Sequence, residues 1–262
     1  MHQSVTIFRY YSHGKQILQN NYLPVTAYTR RMNGGITNPF LCTCQDGLAY
    51  VVKGRPKLRQ YELVAEFISA HLAQQIGLSC PDFRIVDIGE ELVEFMPDLS
   101  RELFPGPAFA TRFVENASII NIQQARNSLT IQEKKKIFFF DRWINNSDRT
   151  LTDFGGNVNI IFDAVNNRYY LIDHNLAFAH DTTDDGYDVH VYSPRSGSWV
   201  YDILDEPELV ELATKAIGTL ELAFSQLPDE WFSSDNERKR ALSDIAARLN
   251  RVRSKEFWSS IV

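Results

Sequence analysis

The stretch FFFDRWINNSDRTLTDFGGNVNIIFDAVNNRYYLIDHNLAFAHD, Phe138 to Asp181, places the tightest constraint on the fold. An apolar helix-forming run gives way to a polar loop. Two strand-like runs follow, NVNIIF and RYYLID, joined by a polar turn at Asn166 and Asn167. Two carboxylates in this stretch occupy different settings: Asp148 lies in the polar loop behind the helix, whereas Asp173 closes an apolar strand. A hairpin between them can carry both charges to one place, where they suit a Mg²⁺ ion held with phosphates. Asp residues in loops are also what solvated turns look like, so the surrounding residues decide.

Upstream, the β-rich runs PFLCTC and LAYVVK flank the turn dipeptide Asp46-Gly47 and read as a hairpin, and Val25 to Tyr28 reads as a short strand. From Gln60 to Ile76, residues Val64, Phe67, Ile68, Leu72 and Ile76 share one helical face and Gly77 offers a stop. FRIVDIG and ELVEFMP read as a second strand pair ended by Pro97. Pro105, Gly106 and Pro107 then read as loop and mark the lobe boundary. Helical propensity returns over Ile119–Ser128 and Ile131–Asn145. It dominates again from Pro207 onward, first through Leu209, Leu212, Ala216, Leu220 and Ala223, then through Leu242, Ile245, Leu249 and Val252. The expected architecture is α+β with two lobes, residues 1–97 small and sheet-rich and residues 98–262 larger and mainly helical.

Composition narrows the function classes. With 44% hydrophobic and 23% charged residues over 262 positions, the chain can bury a full core and lacks the signature of disorder. No apolar stretch nears the ~18 residues of a spanning helix, and the opening MHQSVTIFRYYSHGKQ lacks the apolar segment of an export leader. Three cysteines without metal-ligand spacing point to reduced thiols in a cytoplasm. A formal charge of −6 argues against direct nucleic-acid binding, and no membrane partner is expected. The sequence also lacks zinc-protease, serine-hydrolase, Walker-type and dinucleotide-binding signatures.

NNSDRT, NVNII and LIDHNLAF resemble the catalytic block of HipA-like kinases, in their shorter single-domain branch, and more distantly that of phosphatidylinositol kinases. The resemblance runs from about Met32 to the final helix. It implies a bilobal protein-kinase-like fold that binds ATP and Mg²⁺ and transfers the γ-phosphoryl group to a Ser or Thr hydroxyl of a protein. Carried onto this chain, Asp148 is the expected catalytic residue, and Asp173 with Asn157 or Asn159 the expected metal ligands. Asn159 directly precedes the apolar strand and is favoured. MNGGITNP resembles the family's phosphate loop, in which Gly34 and Gly35 let the backbone approach phosphate. Lys53, in YVVKG, is expected to pair with nucleotide phosphates, with Glu66 as its partner and Glu62, one turn earlier, as the alternative. Glu94, Phe95 and Met96 resemble the hinge whose backbone bonds adenine. FATRFVEN, Phe109 to Asn116, belongs to the resemblance without an assigned role.

The chain departs from the family pattern at four places. Thr150 stands where many relatives have His, Asp153 where simple spacing puts the metal-binding Asn, and Asn175 where a Gly often follows the metal Asp; DFGG reads as an insertion. The family includes bacterial toxins neutralised by partner proteins, which implies a protein substrate and an antitoxin partner. Two alternatives stand beside this reading: a nucleotide-binding pseudokinase acting as an interaction module, and a kinase of a small molecule or lipid head group.

Overall fold

The computed structural model describes residues 10–12, 15–17, 22–32, 38–96, 99, 101–152, 155–179, 187–196 and 198–261. Gly34 and Gly35 of the expected phosphate loop lie outside these residues, as does Asp153. Strands β1 (Tyr10–Ser12) and β2 (Lys15–Ile17) pair with each other. Strands β3 (Leu23–Arg31), β4 (Phe40–Cys44) and β5 (Ala49–Lys53) run antiparallel in sequence. The β4–β5 turn forms at the expected dipeptide, because Gly47 adopts a φ of 77° that a side chain disfavours. Asp46 braces it by accepting from Leu48 N–H at 3.0 Å and from the Tyr50 hydroxyl at 2.8 Å.

Helix α1 (Gln60–Gln75) follows, then β6 (Phe83–Ile88), α2 (Glu90–Glu94) and β7 (Gly106–Arg112). Strand β7 pairs antiparallel with both β5 and β6, and a short parallel pairing of β3 with β6 closes a barrel in the order β3-β4-β5-β7-β6. Two expectations change here. ELVEF is helix α2 rather than a strand: Gly89 starts it, Glu90 and Glu91 place negative charge at its N-terminal end, and Leu92, Val93 and Met96 turn toward the barrel interior at helical spacing. The partner of β6 is instead β7, whose Gly106-Pro107 opening reads as loop in the sequence. Proline is tolerated near a strand start, where a missing N–H costs little, and the Pro107 carbonyl accepts from Trp231 Nε1 at 3.1 Å. The barrel therefore continues past residue 97.

Beyond the barrel come β8 (Ala117–Ile119), α3 (Ile122–Asn127), α4 (Ile131–Trp143), β9 (Ile160–Asp163) and β10 (Arg168–Leu171). The last two form the expected hairpin and make a three-stranded sheet with β8. The C-terminal third is helical: α5 (Asp205–Ile217), α6 (Leu220–Ser225), α7 (Asp235–Leu249) and α8 (Lys255–Ser260). Among the described residues no helix is long and apolar enough to cross a membrane.

Among the described residues two hydrophobic cores result. One fills the barrel with residues such as Phe40, Cys42, Tyr50, Val52 and Val86. All three cysteines are free, and burial pushes the thiols of Cys42 and Cys44 up to about 12 and about 11. The other core joins α1 to the helices that follow the barrel. Helix α1 is buried on more than one stripe because it is wedged between β6 and β7 on one side and α5 and α6 on the other. Within this core Phe139 has no exposed surface and stacks between Trp143 and Trp258, with ring centroids 5.9 and 5.7 Å away. Phe139→Ala is expected to cost about 3–5 kcal/mol, read from urea unfolding midpoints. A loss below about 1 kcal/mol would mean that the stack does not hold α4 to α8.

Candidate active site

A cavity of about 500 Å³ lies between the barrel, α1 and the three-stranded sheet. Lys53, the last residue of β5, reaches into it with only 9% of its surface exposed. Its Nζ donates to Glu66 on α1 and, at 2.7 Å, to Asp173 Oδ1 just past β10. The second Glu66 oxygen accepts from His174 N–H at 3.0 Å. One ammonium thus ties the barrel, the helix and the strand end together. Burial opposes its charge, but Asp173 and Glu66 outweigh that effect and keep Lys53 protonated. Burial pushes Glu66 up to about 7 against the pull of Lys53. Burial also raises Asp173, yet the Lys53 charge wins and holds it below the ordinary Asp range. Glu62 stands apart from this cluster, because its carboxylate accepts from Arg59 N–H at 2.6 Å and closes the capping box of α1.

Asp148 stands across this cluster in the loop behind α4. Its Oδ2 accepts from Asn157 Nδ2 at 2.6 Å and Asn159 Nδ2 at 3.0 Å. Burial raises the Asp148 carboxyl, the two amide bonds pull it back, and the neighbouring Asp173 charge adds to the rise. Both candidate asparagines are therefore brought to the Asp148 carboxylate, Asn159 buried and Asn157 exposed. Asn159 and Asp173 have φ values of 50° and 60°, a left-handed conformation that Asn and Asp tolerate best and that gathers at functional sites.

Glu94 and Met96 do not join them. Glu94 is exposed at the end of α2 and Met96 packs on the barrel core, and neither lines the cavity. The chain leaves the barrel through β7, so the cavity wall at that point is Arg112, Phe113 and Val114, inside the FATRFVEN motif. The Gly34-Gly35 loop lies outside the described residues, but its flanks Met32 and Pro39 line the cavity and bond to each other, Met32 N–H to Pro39 O at 2.8 Å.

Sequence reasoning passed over three further buried polar residues, Asp141, Arg149 and His190. Asp141 on α4 accepts from Arg149 Nε at 2.7 Å, Arg149 Nη2 at 3.4 Å, Asn146 Nδ2 at 2.9 Å and His190 Nε2 at 2.9 Å. Burial alone would raise the Asp141 carboxyl, but the Arg149 charge and the His190 bond hold it well below the ordinary Asp range. A signal was present: Asp141 stands four residues after Ile137 and three before Ile144, on the apolar face of its helix, where a charge requires partners.

Among the described residues, no three His, Cys, Asp or Glu side chains gather as a ready-made metal site. The donors present nevertheless fit Mg²⁺. Asp173 and the amide oxygens of Asn157 and Asn159 are hard oxygen ligands, and such an ion takes few from protein and the rest from phosphate and water.

The proinflammatory kinase CtkA of Helicobacter pylori shares this fold, with a TM-score of 0.53 and 12% identity over 89% of this chain and 94% of that one. The Golgi casein kinase gives a TM-score of 0.43 at 13% identity, over 92% of this chain and 77% of that one. HipA of Shewanella oneidensis MR-1, solved as a toxin-antitoxin complex with HipB and operator DNA, gives 0.48 at 12%, over 92% and 66%. No curated protein matches the chain in sequence. Residues 25–261 match the HipA-like kinase family, and with nearly the whole chain inside that match, the chain belongs to the HipA-like kinases.

Proposed function

We propose that the chain is an ATP- and Mg²⁺-dependent kinase of bilobal architecture that phosphorylates a Ser or Thr hydroxyl of a protein. The observation that carries this reading is the convergence on one cavity of Lys53, Glu66, Asp173, Asn157 and Asn159, with Asp148 bonded to both asparagines. Lys53 binds and orients nucleotide phosphates, and Glu66 keeps its ammonium in place. Asp173, with Asn159 and Asn157, would hold a Mg²⁺ ion, which would supply charge neutralisation to the transferring phosphoryl group. Asp148 aligns the substrate hydroxyl and takes its proton as the oxygen attacks the γ-phosphorus and the bond to the β-phosphate oxygen breaks. Arg112 to Val114 stand where a nucleotide base meets backbone. Family membership supports action in a cytoplasm as a toxin with a neutralising protein partner, or in a related defence role.

Asp148→Asn should leave nucleotide binding near the wild-type value and lower turnover by about a hundredfold or more. Asp173→Asn should chiefly weaken Mg²⁺-dependent binding. The measurement is labelled-ATP transfer to a protein extract with Mg²⁺, beside nucleotide titrations. Equal labelling by wild type and Asp148→Asn leaves only a nucleotide-binding module, and label in small molecules or lipid instead of protein moves the substrate class.

Lys53→Ala and Met96→Ala form a second test, read as the stabilisation that ATP confers in thermal melts. Lys53→Ala should lose about 1.4 kcal/mol or more of binding, a tenfold weakening, while Met96→Ala binds as wild type. A matching loss at Met96 would return the adenine site to the end of α2.

A further inference from the structure

We propose that His190 is a positioning residue for phosphoryl transfer, acting through Asp141 and Arg149 on the loop that carries Asp148. The inference rests on the kinase reading above and concerns groups that touch neither nucleotide nor substrate.

Asp141 has no exposed surface, and each of its oxygens accepts two hydrogen bonds: Oδ1 from Asn146 and Arg149 Nη2, Oδ2 from Arg149 Nε and His190 Nε2. A carboxylate has about four acceptor sites, so this one is saturated and cannot pivot without breaking a bond on each oxygen. The donors Asn146 and Arg149 bracket Asp148. Arg149 also donates through Nη1 to the carbonyl of Asn159 and approaches that of Ile172, the residue before Asp173, at 3.5 Å. One guanidinium therefore sets the backbone beside Asp148, Asn159 and Asp173, the residues assigned to the chemistry.

His190 fills the fourth acceptor site from a different part of the chain. Its Nδ1 accepts from Tyr192 N–H at 3.0 Å, which fixes the tautomer: Nε2 carries the proton and donates to Asp141. The same segment is strapped to the loop by backbone, Val191 N–H to Arg149 O and Leu151 N–H to Val189 O, both at 3.0 Å. Arg149 already answers the Asp141 charge. What the neutral imidazole adds is direction, by closing the last degree of freedom of the carboxylate that aims Arg149.

The test compares His190→Gln, whose amide nitrogen can replace Nε2, with His190→Asn, which is as polar but too short to reach Asp141. Turnover and KM for Mg·ATP are measured per folded molecule, with folding checked by unfolding midpoints. His190→Asn should lower kcat by about tenfold to a hundredfold with KM within about threefold, and His190→Gln should recover kcat to within about threefold of wild type. A kcat for His190→Asn equal to wild type, or a Gln variant no better than the Asn variant, overturns the positioning role. A wild-type protein that binds nucleotide but transfers no phosphate removes the kinase reading and this inference together, an outcome distinct from failure of the variants alone.

Discussion

The helical part of the molecule is organised around a guanidinium with no contact with water. Arg149 has no exposed surface, and neither has the carboxylate that answers it. Removing one member of such a pair typically costs about 3–5 kcal/mol, because the other is left charged and buried. The geometry around it follows from the need to satisfy every donor. The loop behind α4 must bend back to deliver Arg149, the residues before β9 must offer a carbonyl, and the segment around His190 must close over the site. Asp148, Asn159 and the approach to Asp173 take their places as consequences of that packing.

Much of this was legible in the sequence, for identifiable reasons. The β4–β5 hairpin and α1 were marked by local chemistry, a Gly in a left-handed turn and an uninterrupted apolar face, and both formed where expected. Lys53 and Glu66, as well as Asp148 and Asp173, could be named because the motifs around them resemble those of a known kinase family. What escaped was decided by partners distant in the chain. ELVEF has β-compatible residues but packs as a helix because β7 takes the place beside β6. Strand β7 was hidden by Pro107, whose missing donor is harmless there. That single exchange also leaves Glu94 and Met96 off the cavity wall, where Arg112 to Val114 stand instead. His190 gave no local sign at all, since its function depends on a carboxylate 49 positions earlier.

The two cores also explain why the cavity lies where it does. Helix α1 comes between barrel strands in the sequence, yet its buried face belongs to the helical core. Glu66 therefore travels with the helices and Lys53 with the barrel, and their bond crosses the seam between the two. The cavity is the part of that seam that apolar side chains do not fill, so polar groups from both sides converge on it.

The contact between Lys53 and Asp173 carries a consequence for the order of events. The ammonium proposed to meet phosphate is engaged by the carboxylate proposed to meet a cation. Under the proposed function, Asp173 would compete with the nucleotide for Lys53, and Lys53 with the metal for Asp173. Engaging either residue with its ligand would free the other, so each ligand would raise the affinity for the other by the same factor. That pairing would favour nucleotide and metal together over either alone, with Glu66 still holding the ammonium.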